Sequence, residues 1–265
     1  MNVELSLAAL DTLWEDHGLG RVPFPLEVTV HGDTADARAG IKAAVYDDLA
    51  GRGLSTGDLA DALRLLAEPA AALDLVALLD LSDDVPVRAV GALRGRHGLL
   101  AVQGARTVCL RGTRDTELAE VLVGLLPRTP AGPGSSITQP VAALRVGGHA
   151  RARPGGVLRT VTPRAAADSK LRAIAAIMER PVLRAGQLGV TLVDESGRRD
   201  RAPGITWFDT DDGRYATTTT PGQDGEDWVT VWPADNARLA HRLTEAVTGG
   251  SPPSPASVST PIRPS

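Results

Sequence analysis

Apolar residues recur at helical spacing three times before residue 70, and then the chain switches to short apolar runs. Leu7, Leu10, Leu13 and Trp14 share one face of a helix that Ser6 can cap and Gly18-Leu19-Gly20 stops. After the Pro-rich turn Val22-Pro-Phe-Pro-Leu26, Thr34 opens a second helix with Ala37, Ile41, Val45 and Leu49 inward, ending near Gly51 and Gly53. Ser55 with Asp58 three residues on resembles a capping box, and Leu59, Leu63 and Leu66 give the third helix its face before Pro69. From Ala72 the runs Leu73 to Leu79, Val85 to Leu93, Leu99 to Val102 and Thr107 to Leu110 read as strands, with Gly104-Ala-Arg106 as a hairpin turn. A helix from Arg114 to Leu125 closes this unit, with Leu118, Leu122 and Leu125 inward. Pro127-Arg-Thr-Pro-Ala-Gly-Pro-Gly134 then marks a boundary.

The pattern repeats. A strand at Ile137 to Val146 leads through a Gly/Arg/Pro loop to a helix from Arg164 to Glu179 carrying Leu171, Ile174, Ile177 and Met178. Strands follow at Val182 to Val193, Ile205 to Thr210, Arg214 to Thr219 and Trp228 to Trp232, then a helix from Ala234 to Val247. The closing helices carry matching segments, Leu118-Ala-Glu-Val-Leu122 and Leu239-Ala-His-Arg-Leu243. This order predicts an α+β fold, a pseudo-two-fold repeat of antiparallel sheets flanked by helices. The expected halves are residues 1–130 and 131–248, with a disordered Ser/Pro-rich tail over 249–265.

Composition narrows the function classes. The 265 residues include one cysteine, Cys109, which excludes an intrachain disulfide framework and fits a reducing compartment. The N-terminal segment lacks a basic n-region, and no apolar stretch approaches the roughly 20 residues that span a bilayer, so a soluble, cytoplasmic protein is expected. The net charge of −4 is unevenly spread. Acids dominate before residue 70, whereas 141–184 carries Arg145, Arg151, Arg153, Arg159, Arg164, Lys170, Arg172, Arg180 and Arg184 against Asp168 and Glu179. That stretch reads either as a solvated linker with a helix face or, over 145–172, as a nucleic-acid contact. It holds no aromatic residue to stack on bases.

Candidate chemistry is sparse. His17, His31, His97, His149 and His241 are scattered, and none has a second ligand at metal-binding spacing on a common face. Cys109, between Val108 and Leu110 in a strand, reads as a buried, inert thiol. Asp209-Thr-Asp-Asp-Gly213 resembles the start of a calcium loop, but Gly213 stands fifth where the loop needs a ligand and Thr220 twelfth where it needs Glu. The segment fits a hairpin turn between Ile205–Thr210 and Arg214–Thr219 instead. No phosphate loop or nucleophile elbow is present. The expectation is a non-enzyme with no metal, cofactor or small-molecule substrate.

One set of segments is Leu7-Ala-Ala-Leu-Asp-Thr-Leu-Trp14, Leu26-Glu-Val28, His31-Gly-Asp-Thr-Ala-Asp36, Leu63-Arg-Leu-Leu-Ala67 and Leu99-Leu-Ala-Val-Gln103. A more specific set is Trp207-Phe-Asp-Thr210, Gly213-Arg-Tyr215, Trp228-Val-Thr230 and the helix from Ala234 to Ala240. In their order and spacing these segments together resemble the EspG-like, ESX (type VII) secretion-associated family of actinobacteria. The resemblance implies a pseudo-two-fold α+β chaperone of the cytosol that binds the helical tip of a secreted PPE partner within a PE–PPE pair. Another helical-hairpin substrate, of the WXG100 kind, is a second possible client. By analogy with the family, Leu81 and Val85 in the turn Leu81–Pro86 form one contact surface. The helix at 164–179 forms another, with Leu171, Ile174, Ile177 and Met178 meeting the client and Arg164, Lys170 and Arg172 as a charged rim. At their helical spacing the four apolar residues also fit a core stripe.

Overall fold

The structure, a computed structural model, describes residues 1–82, 85–143, 165–223 and 225–249. Arg164, His149, most of the basic stretch and the tail beyond Gly249 lie outside them, as do Asp83 and Asp84.

A strand precedes the first helix: β1, Asn2–Ser6, buries Leu5 and runs straight into α1, Leu7–Asp16. Ser6 ends the strand and caps the helix at once, its hydroxyl accepting from the Ala9 N–H at 3.0 Å. Thr34 and Ser55 cap α2, Ala35–Gly51, and α3, Thr56–Ala67, in the same way. Val45 and Leu49 are buried on α2, whereas Ala37 is exposed. The first meander comprises β2 (Ala71–Leu78), β3 (Val87–Arg94), β4 (His97–Gln103) and β5 (Thr107–Arg114). Because β5 extends to Arg114, the closing helix is shorter than its apolar spacing predicts. A 3-10 turn over Asp115–Glu117 leads into α4, Leu118–Val123.

The second half holds β6 (Ile137–Pro140), α5 (Ala165–Met178), β7 (Arg184–Val193), the short β8 (Arg199–Arg201), β9 (Ile205–Thr210), β10 (Gly213–Pro221), β11 (Asp227–Pro233) and α6 (Asn236–Thr248). β6 is shorter than expected, since residues 141–143 are already helical. The last helix starts at Asn236 rather than at Ala234, because Asp235 caps it, accepting from the Arg238 N–H at 2.8 Å.

The strands form a single 11-stranded sheet in the order β1-β5-β4-β3-β2-β7-β9-β10-β11-β6, with β8 paired to β7. All its ladders are antiparallel. Read outward from the β2–β7 pair, the order is the same on both sides: a four-strand meander, then at the rim the strand that opens that half. This is the repeat expected from the sequence, with both halves fused through β2 and β7.

Pleating divides the core in two. On one face Leu73, Leu75, Ala89, Leu100, Leu188, Val190 and Trp207 pack against Leu118 and Leu122 of α4 and Leu239 and Leu243 of α6. On the other, Val90, Ala92, Leu99, Ala101, Val108 and Leu110 pack against α1, α2 and α3. Alternation also corrects the reading of Cys109. Its neighbours Val108 and Leu110 face the core, so Cys109 points the other way and is exposed.

Candidate functional site

Register fixes what meets at one end of the central strands. Leu78 of β2 lies opposite Ala185 of β7, and Ala77 opposite Val87 of β3. The turn after β2 and the segment entering β7 therefore emerge side by side. Exposed apolar side chains collect here: Leu81, Val85 (66% exposed), Met178 (61%), Val182 and Leu183. Most large apolar residues on this chain are buried, so their accumulation at one end is the informative departure.

Polar contacts hold this end in place. Arg184 pairs with Asp209 in the β7–β9 ladder, and the Leu183 N–H donates to the Asp209 carbonyl at 2.8 Å. Arg180 bridges Asp211 and Asp212 in the β9–β10 turn, donating to Asp211 at 3.0 Å. The hydrogen bond it donates to Asp211 raises the pKa of the guanidinium, fixing its charge. In that turn positive φ falls on Gly213 alone, at 127°. In the turn after β2, the Asp80 carboxylate accepts from the hydroxyl (2.6 Å) and N–H (2.8 Å) of Ser82. Those bonds, the hydroxyl first, hold its pKa below the ordinary value. Leu81 is thus carried on a braced turn with a persistent anion beside it.

The sequence-derived contact residues divide. Leu81 and Val85 flank the ends of β2 and β3 here, and Met178 is exposed two residues before Arg180, which reaches the β9–β10 turn at the same end. Ile174 is buried, at 3% exposure, and belongs to the packed side of α5. Leu171 and Ile177 are half-buried, and Lys170 and Arg172 are exposed on the helix. Arg164 lies outside the described residues. The apolar run predicts a strand from Val182, but β7 begins at Arg184, so Val182 and Leu183 precede it. Pro181 before them was the available signal that the ladder had not begun.

A second constellation is wholly buried. Arg214 is 0% and Asp209 1% exposed. Arg214 Nε donates to Asp209 Oδ1 at 2.6 Å, Nη2 to Asp209 Oδ2 at 3.0 Å, and Nη1 to Asn236 Oδ1 at 2.7 Å. Nη2 also reaches the Pro127 carbonyl at 3.0 Å, and the Thr129 hydroxyl donates to Asp209 at 2.9 Å. The guanidinium lies over the Trp207 ring, 4.7 Å from its centroid. Phe208 stacks on Tyr215, whose hydroxyl donates to the Pro133 carbonyl at 3.1 Å. The Gly132 N–H donates to the Arg214 carbonyl, and the Arg214 N–H to the Pro130 carbonyl. A side chain at Gly213 would sit 2.8 Å from the Pro130 carbonyl and Gly132 nitrogen. Every residue of Trp207-Phe-Asp and Gly213-Arg-Tyr215 thus helps to clamp the segment 127–133 between the halves. The motif has an architectural role, with no open position for a substrate.

Among the described residues no group of three or more His, Cys, Asp or Glu is placed to hold a metal, and no helix is long and apolar enough to cross a membrane. His31 lies 3.3 Å from Asp11, which also takes Arg38, fastening α1 to α2. His241 sits beside Glu245 on α6.

The fold and site together define a pseudo-two-fold α+β protein whose exposed feature is an apolar strand end. The chain belongs to the EspG family, which it matches over residues 6–245. Among solved structures it is similar to the Mycobacterium tuberculosis type VII secretion system chaperone EspG5, determined in complex with a PE25–PPE41 dimer. The TM-score is 0.65 at 12% identity, covering 95% of this chain and 98% of that one. At that identity the likeness is one of fold. No curated protein matches the chain.

Proposed function

We propose that this protein is a cytosolic, non-enzymatic chaperone that binds a helical substrate of a type VII (ESX) secretion system, PE/PPE-like or another helical hairpin, and keeps it soluble for export. The observation that carries this is the apolar end formed by Leu81, Val85, Met178, Val182 and Leu183 in a chain of the EspG family. The similar fold of a chaperone solved with a PE–PPE dimer supports the partner class. Covering the apolar tip of a helical hairpin prevents its self-association, and an exposed apolar end on a braced sheet can do so without rearranging. Arg180, Asp80, Asp211 and Asp212 form a charged rim that sets the partner's orientation. The nucleic-acid reading gains nothing from the described residues, where only Lys170 and Arg172 of its basic stretch fall.

The test is recovery of the tagged protein from host cytosol at moderate salt. A stoichiometric secreted protein of helical-hairpin type supports the reading. Nucleic acid alone, released by added salt, overturns it.

A further inference from the structure

The loop between α1 and α2, which is tied at Glu27 to the same end of the sheet, carries a further exposed apolar side chain. Phe24 is 62% exposed, although Pro25 and Leu26 beside it are buried. Its position is set three residues on, at Glu27. The Glu27 N–H donates to the Gln103 side-chain carbonyl, and the Gln103 amide donates back to the Glu27 carbonyl, both at 2.7 Å. The Glu27 carboxylate pairs with Arg88 at 2.8 Å. Gln103 ends β4 and lies directly opposite Arg88, the second residue of β3. Residue 24 is therefore tied to the strand ends that carry Val85 and Leu81, one or two strands further along. By sequence Phe24 belongs to the Pro-rich turn Val22-Pro-Phe-Pro-Leu26. The available signal was an aromatic held between Pro23 and Pro25, where neither a helix nor a strand ladder can take it in.

We infer that Phe24 is a second anchor of the client surface, and that the client helix lies across the strand ends from β4 to β7. This rests on the chaperone reading. The geometry supplies the length. From β4 to β7 there are three strand spacings of about 4.8 Å, so roughly 14 Å. A helix covers that in about ten residues at 1.5 Å each. One helix of the partner, presenting apolar side chains about three turns apart, can touch Phe24 with one end and Leu183 with the other. The charges along the path point the same way. On the path itself Glu27 is paired with Arg88 and Arg184 with Asp209, so the Asp80 carboxylate is the charge left over, and just beyond β7 Asp211 and Asp212 outnumber Arg180. The fitting helix is therefore apolar on its docking face with Lys or Arg at the margin. Gln103 acts as a positioning residue: it fixes the Phe24 loop and touches no partner.

The experiment is site-specific photo-crosslinking in the host, with a benzophenone amino acid at position 24, at position 81, and at Arg96 at the opposite end of the sheet. The expected result is capture of the same helical-hairpin protein from 24 and 81 but not from 96. The two crosslinked peptides should fall on one helix about ten residues apart. With the captured partner purified, Phe24→Ser should weaken binding about 10- to 30-fold with an unchanged melting temperature. Gln103→Ala should weaken it less, and Gln103→Glu, which keeps the acceptor for the Glu27 N–H, should restore part of the loss. Capture from 81 alone, with Phe24→Ser binding normally, overturns this inference and leaves the chaperone reading standing. Capture from neither position, or equal capture from 96, overturns both.

Discussion

Replacing Arg214 by Ala removes the centre of the buried clamp, and its cost can be worked from the contacts. The guanidinium donates five hydrogen bonds, to Asp209 twice, Asn236, Pro127 and Thr129. Without it Asp209, 1% exposed, keeps the Thr129 hydroxyl and the more distant Arg184 at 3.5 Å. Leaving one partner of a buried ion pair uncompensated costs about 3–5 kcal/mol, and Arg184 moderates that toward about 3–4. In a domain of this size each kcal/mol lowers the melting temperature by about 2–4 °C, so a fall of roughly 6–16 °C is expected. Urea unfolding followed by circular dichroism measures the loss. Limited trypsin digestion at Arg128 reports the release of segment 127–133, whose backbone the clamp holds. Removing both charges, as Asp209→Leu with Arg214→Met, should cost less than the sum of the single changes by at least about 1 kcal/mol, because no carboxylate is stranded. If Arg214→Ala loses under about 1 kcal/mol and Arg128 stays protected, segment 127–133 is held by something other than this clamp.

Three further perturbations test other joints of the fold. Gly186→Ala would bring a methyl group within 2.5 Å of the Val76 carbonyl and 2.9 Å of the Trp207 ring, where β2 and β7 fuse the halves. A loss of about 2 kcal/mol or more in urea unfolding is expected, and a neutral result would contradict the close packing of that pair. Asp16 has its pKa lowered, chiefly by the Lys42 ammonium and also by the Tyr46 hydroxyl. A depressed folded-state pKa means stability that is present above the ordinary value of 3.8 and is lost as pH falls below it. Urea midpoints between pH 5 and pH 3 should therefore fall less steeply for Asp16→Asn than for the unmodified protein, and parallel curves would refute this. Exposed Cys109 should react with a thiol reagent in the native protein nearly as fast as in denaturant; strong native protection would return it to the core.

The local signals in the sequence were strong wherever one residue decides one bond. Ser6, Thr34 and Ser55 each cap the helix assigned to them, and Asp211-Asp-Gly213 makes the β9–β10 turn. The repeat was legible because both halves reuse one order of apolar spacing. β1 was hidden by its length: Val3 and Leu5 alternate inward over only five residues, and Leu5 runs straight on into the apolar face of α1. The exposure of Cys109 was missed for a related reason: an apolar run was taken as buried on both faces, when β5 is buried on one. The candidate surface was half legible. Leu81 and Val85 followed from the family resemblance, with no pattern of their own to mark them. Their place beside Val182 and Leu183 depends on the β2–β7 register, which pairs residues over 100 positions apart. Helical spacing in α5 could not say which apolar side chain faces inward. Burial resolves it, with Ile174 packed and Met178 exposed.

The most direct measurement of the central claim is the affinity of the purified protein for the helical partner recovered with it, compared with a Leu81→Asp, Leu183→Asp variant. Both positions are exposed, so the melting temperature should not change. Two charges placed in the apolar end should weaken binding about 100-fold or more if that end is where the client sits. Unchanged affinity with an intact fold would mean that the client binds elsewhere, and would contradict the account of this surface.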